Sequence, residues 1–414
     1  MLDTDNEASV LPEILRIVIT CLQYYPEFPS GSNRLAYDEA QFLAGLGHEV
    51  WLIAQNAERT RWDFSTYCGV GVVRYPVRNR GSLDPRRIWM HQRFTREALR
   101  RFVAEEPHLV HGHSLLQYIE ASRRLEGVRR TCYSVHSPAS LETLATVQGE
   151  RPMAQMMGRL TAVLLGIVEA KALRRSDVVT AFSSFTRSLI EKQHGAKIAK
   201  RVLVNRGWVD LDRFRVCEDR PGAKVALGWP SGVPVLFTLR RLVPRMGVDR
   251  LLLAVKEVQA TGMKFHLVVG GAGPLRPTLE SLANELGLSK TVSFVGRVDD
   301  SWLPTMYGAA DAFVLPTTEL ECFGLIAIEA LACGRPVLAT PVGAIPEVLS
   351  HFEPKWLAVD SSAHGLATLI LSFLRHELPG HSPETLRRIV GAHFEKEIAL
   401  RQLTDAAIGR PSSA

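Results

Sequence analysis

The sequence predicts an α/β protein made of two doubly wound parallel sheets. Short β-rich apolar runs alternate with longer helical patterns from end to end, the signature of repeated βα units. The 414 residues ask for two to three domains at about 150 residues each. An apolar content of 46% is enough to give each a substantial core.

In the first half the strand-like runs fall at 15–21, 50–54, 108–111, 131–135, 178–182 and 202–205. In the second half they fall at 233–238, 265–270, 291–295, 312–315 and 336–339. Between the sheets lies a stretch with little periodicity that carries Pro221, Gly222, Gly228, Pro230 and Gly232 and reads as a connector. The expected organisation is a first sheet domain over 14–210, a connector over 211–232 and a second sheet domain over 233–382. A final helix over 383–407 is rich in both charge and Leu/Ile, and is expected to pack back across the hinge.

Composition excludes several classes. No apolar run approaches the ~18 residues that span a bilayer. The first thirteen residues hold Asp3, Asp5, Glu7 and Glu13 and do not read as a secretory signal; a frayed acidic tail is expected there. Six scattered cysteines without a C-x-x-C pair suggest neither a disulfide framework nor a zinc site, and fit a reducing cytoplasm.

The net charge of +6 is unevenly spread: residues 1–210 carry 28 Lys and Arg against 22 Asp and Glu, and the remainder is balanced. Nine arginines (74, 78, 80, 86, 87, 93, 96, 100 and 101) face only Asp84 and Glu97 between 74 and 101, and Trp89 lies among them. An anionic membrane surface is the expected partner of this cluster; a solvated helix face, with Ile88, Phe94, Leu99 and Phe102 turned to the sheet, is the alternative.

The strongest chemical signal runs from Pro316 to Thr340. A strand ends at Pro316, a polar loop carries Glu321 and Cys322, and Phe323, Gly324 and Leu325 open a helix that Gly334 closes. Free N–H groups at such an opening attract anions, and Gly324 admits a phosphate close to the backbone. Glu321 precedes the opening and Glu329 lies two turns inside, about 12 Å apart at the helical rise. That layout suits a nucleoside diphosphate sugar: one carboxylate for sugar hydroxyls, one for ribose, amides for the diphosphate.

This segment resembles the E-x7-E signature of retaining GT-B glycosyltransferases of glycosyltransferase family 4. Arg241 to Asp249, the Gly271-Ala-Gly273-Pro274 turn, Val292 to Val298, and Pro341 to Val348 extend the resemblance, which covers roughly residues 15–350. It implies two Rossmann-like domains facing each other across a cleft, the first for the acceptor and the second for the donor. By the same resemblance Arg241 stabilises the leaving diphosphate. Arg245, or else Arg240, supplies the second cation where the family's Lys position reads Met246. Glu321 contacts the donor sugar, His136 its far side, and Glu329 the ribose. Gly31 and Ser32 stand at the family's glycine loop, read as a loop feeding the first helix, and Gly271, Gly273, Arg297, Val298, Cys322, Phe323, Gly324 and Leu325 complete the donor site.

The resemblance implies no tightly bound cofactor and no metal. The donor is a nucleotide diphosphate sugar, UDP favoured over GDP; the acceptor is a glycan, a lipid-linked or a small-molecule hydroxyl, with no nucleic acid involved. A cytoplasmic protein, peripheral on the inner face of the membrane, is expected. His111 and His113 form an H-x-H on one side of a strand with no third ligand nearby in sequence, and Asp210-Leu-Asp212 falls in the connector; neither is read as a metal site. A sugar-nucleotide epimerase or hydrolase, and a degenerate non-catalytic binder, stay open as alternatives.

Overall fold

The computed structural model describes residues 14–28, 30–56, 60–77, 86–103, 106–123, 128, 130–148 and 151–410, with 86 and 87 described by backbone only. The acidic N-terminal segment and Arg78 and Arg80 lie outside the described residues.

The first unit runs β1 (Arg16–Gln23), α1 (Gly31–Gly45), β2 (Glu49–Gln55), β3 (Asp63–Tyr67), β4 (Val70–Tyr75), α2 (Arg86–Phe102), β5 (Leu109–Gly112), α3 (Leu115–Ala121), β6 (Arg130–Val135), α4 (Ala139–Val147), α5 (Pro152–Arg175), β7 (Val178–Ala181), α6 (Ser184–His194), α7 (Ala196–Ala199) and β8 (Val202–Val204). Its eight strands are ordered β3-β4-β2-β1-β5-β6-β7-β8, parallel except for β3. Alternation along β1 sorts its side chains between two cores. Ile17 and Ile19 face Ala36, Ala40 and Leu43 of α1, whereas Val18 joins Leu99 of α2, Tyr118 of α3, Leu173 of α5 and Ile190 of α6.

After a connecting helix, α8 (Arg220–Ala226), the second unit runs β9 (Val235–Leu239), α9 (Val248–Ala260), β10 (His266–Gly270), α10 (Arg276–Glu285), β11 (Val292–Gly296), α11 (Leu303–Ala309), β12 (Ala312–Leu315), α12 (Leu325–Ala332), β13 (Val337–Ala339), α13 (Ile345–Leu349) and α14 (Ala363–Leu374). Its five parallel strands are ordered β11-β10-β9-β12-β13. Leu236, Leu267 and Val314 pack on α9 and α14, while Phe237, Val268 and Phe313 pack on Tyr307 of α11 and Leu331 of α12. Full burial of each such side chain contributes ~1.5–3 kcal/mol.

Three sequence expectations are corrected. The hairpin β3–β4 extends the first sheet by two strands beyond the six apolar runs. Its turn, Cys68-Gly69, has both residues at positive φ (48° and 77°). The stretch read as an irregular connector contains α8, which is tied to the second sheet: Lys224 and Arg220 donate to Asp311 at 2.7 and 2.6 Å. The single C-terminal helix is two, α15 (Pro383–Phe394) and α16 (Lys396–Ile408), broken at Glu395, whose backbone bridges to Val209. Leu386, Val390 and Phe394 of α15 join the second unit's core, while Ala407 of α16 joins the first unit's. The terminal segment thus closes back over the hinge.

Part of the arginine cluster is held in ion pairs. Arg74 is inward and ion-paired with Glu27 and Asp63, Arg96 donates to Glu120 at 2.6 Å, and Arg101 pairs with Glu97. Leu99 of α2 is buried and Phe94 and Phe102 pack on the sheet, as the alternative reading had it. Trp89 is exposed, with the Arg93 guanidinium 5.4 Å from its ring centre.

Candidate active site

Two helix openings meet between the units. Ser30 caps α1, its Oγ accepting from the Asn33 N–H, so Gly31 to Arg34 form the first helical turn rather than a loop. Across from it, Gly324 at φ +88° turns the chain into α12. A Cβ added at Gly31 would stand 2.8 Å from Leu325 Cδ1, and one at Gly207 would stand 2.5 Å from the Phe323 ring. Gly31, Ser32, Phe323, Gly324 and Leu325 are therefore brought together, and the positive ends of two helix dipoles converge. Cys322 turns its carbonyl to the Ser183 and Thr186 hydroxyls at the start of α6, and burial pushes its thiol up to about 11.

Three arginines follow β9. Arg240, buried, donates through Nη2 to Glu321 Oε2 at 2.7 Å and to Thr317 Oγ1 at 2.8 Å, and touches the sulfur of Met246. Arg241 and Arg245 both reach across to Glu142 Oε1 of α4, at 3.1 and 2.7 Å, and Arg245 also donates to the Leu320 carbonyl. Leu320 sits at φ +53°, a left-handed conformation that costs a non-glycine residue free energy. This conformation and the close packing of Gly343 on the Glu321 carbonyl fix where the Glu321 side chain begins.

Glu329 is buried within α12. It accepts from Tyr307 Oη at 2.9 Å and from Arg34 Nη1 of α1 at 3.3 Å, the latter from the opposite unit. Burial raises its carboxyl pKa, which Arg34 and Tyr307 offset in part. Arg34, stacked 5.2 Å from the Phe214 ring centre, was not singled out from sequence.

His136, at the end of β6, stacks on Phe182 and shares a hydrogen bond of 2.9 Å between its Nε2 and His113 Nδ1. His113 Nε2 in turn bonds Glu39 Oε2 at 2.6 Å, and Glu39 Oε1 bonds His111 Nδ1 at 2.5 Å. No third partner stands near the H-x-H pair in sequence, but the fold brings one: Glu39 arrives from α1, with ligating atoms of all three residues within 4.8 Å of one another. Carboxylate–imidazole contacts of 2.5 and 2.6 Å are hydrogen-bond lengths. Two donor atoms on one tetrahedral ion at ~2.0–2.1 Å stand ~3.3 Å apart. As placed, the group is a hydrogen-bond chain leading to His136.

Burial works against the Glu39 charge, yet the two histidines bring its pKa down to about 2. Burial likewise opposes the charge on His111, but Cys132 and Glu39 raise its pKa well above the ordinary value. Burial lowers His113, and lowers His136 well below the ordinary range with help from His113 and His111.

The remaining expected residues are more peripheral. A Cβ at Gly271 would lie 1.8 Å from the Arg240 carbonyl and one at Gly273 2.3 Å from that of Leu242, so both glycines let the β10 turn close on the arginine loop. Arg297 is exposed and reaches toward the Glu27 carbonyl at 3.5 Å; Val298 is half-buried beside Gly270. Next to them Arg213 of the connector clasps Asp300 at 2.7 Å and Tyr25 Oη at 3.0 Å. Asp210 accepts from the Asp212 and Arg213 backbone and pairs with Lys396 at 3.3 Å, a hinge contact.

With this geometry in place, known proteins can be set beside the chain. Residues 29–213 match the family model described as Glycosyltransferase Family 4, and 219–390 the one described as Glycosyl transferases group 1. The chain is 32% identical over 295 residues to "D-inositol 3-phosphate glycosyltransferase 2" of Catenulispora acidiphila, covering 68% of this chain and 66% of that protein. It is 33% identical over 221 residues to "GDP-mannose-dependent alpha-(1-6)-phosphatidylinositol monomannoside mannosyltransferase" of Mycobacterium tuberculosis, covering 49% of this chain and 56% of that protein. The matches thus span between about half and two thirds of these relatives. Among solved structures, sucrose-phosphate synthase of Thermosynechococcus elongatus superposes with a TM-score of 0.77 at 21% identity over 94% of this chain and 98% of the other. Anabaena HepE, solved with UDP and glucose, gives 0.72 at 17% identity over 94% and 98%.

Proposed function

Because the chain belongs to the family 4 glycosyltransferases and has their GT-B architecture, we propose that it moves a sugar from a nucleotide diphosphate sugar to an acceptor hydroxyl with retention of anomeric configuration. The observation that carries the reading is the convergence of two helix openings with Arg240, Arg241, Arg245 and Glu321 at one point between the units. Amides at 322–325 and the arginines suit a diphosphate, whose negative charge grows as the bond to the sugar breaks. In this reading Arg241 and Arg245 stabilise the leaving group, Glu321 orients the sugar hydroxyls, His136 meets the sugar's far side and Glu329 the ribose. The base lies by Arg297 and Val298, beside the Gly271-to-Gly273 turn. The acceptor oxygen attacks from the face the diphosphate leaves, and the departing phosphate oxygen takes its proton.

UDP is the favoured nucleotide and GDP the competitor, the latter carried in the names of several relatives. The acceptor is a glycan, a lipid-linked glycoconjugate or a small polyol on the cytoplasmic side of a membrane. Calorimetry with UDP, GDP and ADP, then turnover of the matching sugar nucleotides, tests the proposal: binding of none of the three overturns it. Glu321→Gln is expected to cut turnover on the order of a hundredfold while free nucleoside diphosphate still binds, since the carboxylate serves the sugar.

A further inference from the structure

Helix α5 is apolar on the wrong side. Gly158, Thr161, Ala162, Glu169, Ala172 and Leu173 face the protein, as a surface helix requires. Yet Met153, Met156, Leu160, Val163, Leu164 and Ile167 stand 40–67% exposed. At about 100° per residue these six fall within an arc of ~100° opposite the buried face. No other described helix carries more than one large exposed apolar side chain. Leu144 of α4 widens the stripe, and between the two helices lies a cavity of about 850 Å³ floored by Ala162, Gly166 and Ala170.

The exposed charges of α5 itself are of one sign. Arg151, Arg159, Arg174 and Arg175 are exposed, and Lys171 is half-buried. The sole acid of α5, Glu169, is buried, accepting from the Ala139 backbone N–H. Arg123 and Arg175 crowd Lys171 enough to push its ammonium pKa down. A two-fold pairing of this stripe with a second copy would bring like charges together. One helix face also offers less than the ~800 Å² per partner of a standard interface. Leucines and methionines interspersed with cations along one helix suit instead the headgroup–acyl boundary of an anionic leaflet.

We propose that the outer face of α5, with Leu144 of α4, is the surface by which this protein docks on an anionic lipid bilayer. The position has a consequence for the site. A second cavity, of about 540 Å³ and lined by Leu141, Leu144, Arg159, Leu189 and Leu320, joins the stripe to the loop that carries Glu321. Gln148, just after α4, donates to Glu319 of that same loop at 3.2 Å. A bilayer under α5 therefore delivers an amphiphilic hydroxyl acceptor sideways into the cleft. This consequence rests on the glycosyltransferase reading; the docking itself is measured without turnover.

The test is co-sedimentation of the full chain at low salt with vesicles of equal phosphatidylcholine and phosphatidylglycerol, against pure phosphatidylcholine. Binding is expected to the anionic vesicles only. Leu160→Glu with Ile167→Glu, and separately Arg174→Glu with Arg175→Glu, are each expected to lower it on the order of tenfold or more. Trp89→Ala on α2 should leave it unchanged, as should nucleotide calorimetry for all these variants. The proposal is overturned if the wild type ignores anionic vesicles or if the α5 variants sediment as the wild type does. Loss of binding in Trp89→Ala moves the surface to α2, and a wild-type dimer split by the Leu160 and Ile167 changes assigns the stripe to a second copy.

Discussion

The two walls of the cleft are built differently. The second unit presents its chemistry from contiguous sequence: Arg240 to Met246 after one strand, and Thr317 to Glu329 across one loop and helix opening. The first unit gathers Glu39, His111, His113 and His136 from α1, β5, the residue after it and the end of β6. The lesson is about what a linear pattern can show. Functional groups spaced along one loop announce themselves, whereas groups gathered by the order of strands in a sheet are seen only once the sheet is assembled.

The largest effect expected on the second wall comes from its cations. If Arg245 serves the leaving group, Arg245→Ala should cost about 3 kcal/mol of transition-state stabilisation, as removal of a preorganised charge does. Glu142 keeps Arg241 as a partner in that variant, so folding should be intact. Arg240 is the rival: it is the more deeply placed, against Met246 and Glu321. Wild-type kcat/KM in Arg245→Ala, with a large loss in Arg240→Lys, would give the role to Arg240.

On the first wall the prediction is Glu39→Gln. The carboxylate accepts from two imidazoles at once, and an amide can accept with only one of its ends. His113 would then be free to change tautomer, and His136 with it. The expected loss in kcat is tenfold to a hundredfold, the worth of one charge-assisted hydrogen bond (~1.5–3 kcal/mol). A merely structural role would lower Tm and leave kcat per folded molecule and its pH profile unmoved, which is the result that breaks the assignment.

The same wall should show in stability against pH. His136 has a folded pKa below its unfolded value near 6.5, so the unfolded chain binds the extra proton as pH falls. Its contribution is therefore present above about 6.5 and lost below it, at about 1.4 kcal/mol per pH unit until the folded pKa is reached. His113 acts in the same direction and His111, raised, in the opposite one. His136→Asn should flatten the fall in denaturant midpoint between pH 6.5 and 5 relative to the wild type; an unchanged slope would mean that His136 is charged in the folded protein.

Much of the architecture was legible. Eleven strands and the division into two units follow from apolar runs separated by helical patterns. The hairpin β3–β4 was not, because its two-residue turn carries Cys68 where a type I′ turn usually shows Asn or Asp. The break at Glu395 was hidden because Phe394 and Ile398 continue a helical apolar pattern through it. Arg34 and Glu142 carry no sequence motif; only the meeting of the units turns one onto Glu329 and the other onto Arg241 and Arg245. Outward apolar residues on α5 could not be told from core residues, since both of its faces obey the same period.

Glu142 gives the smallest predicted effect and the most direct link between the walls. Its carboxylate, from the first unit, holds the two arginines that a diphosphate would also engage. The pair is partly exposed, Glu142 at 36% and Arg241 at 55% of side-chain area, so its own contribution to stability is small. If Arg241 and Arg245 take the phosphates, a nucleoside diphosphate must first release them from Glu142. Glu142→Ala removes that competition and should tighten nucleoside diphosphate binding by a few-fold, with little change in Tm. The gain should shrink at raised salt, where screening weakens the pair in the wild type as well. Weaker binding in the variant would instead mean that Glu142 preorganises the arginines for the ligand, and that the first unit helps to build the donor site.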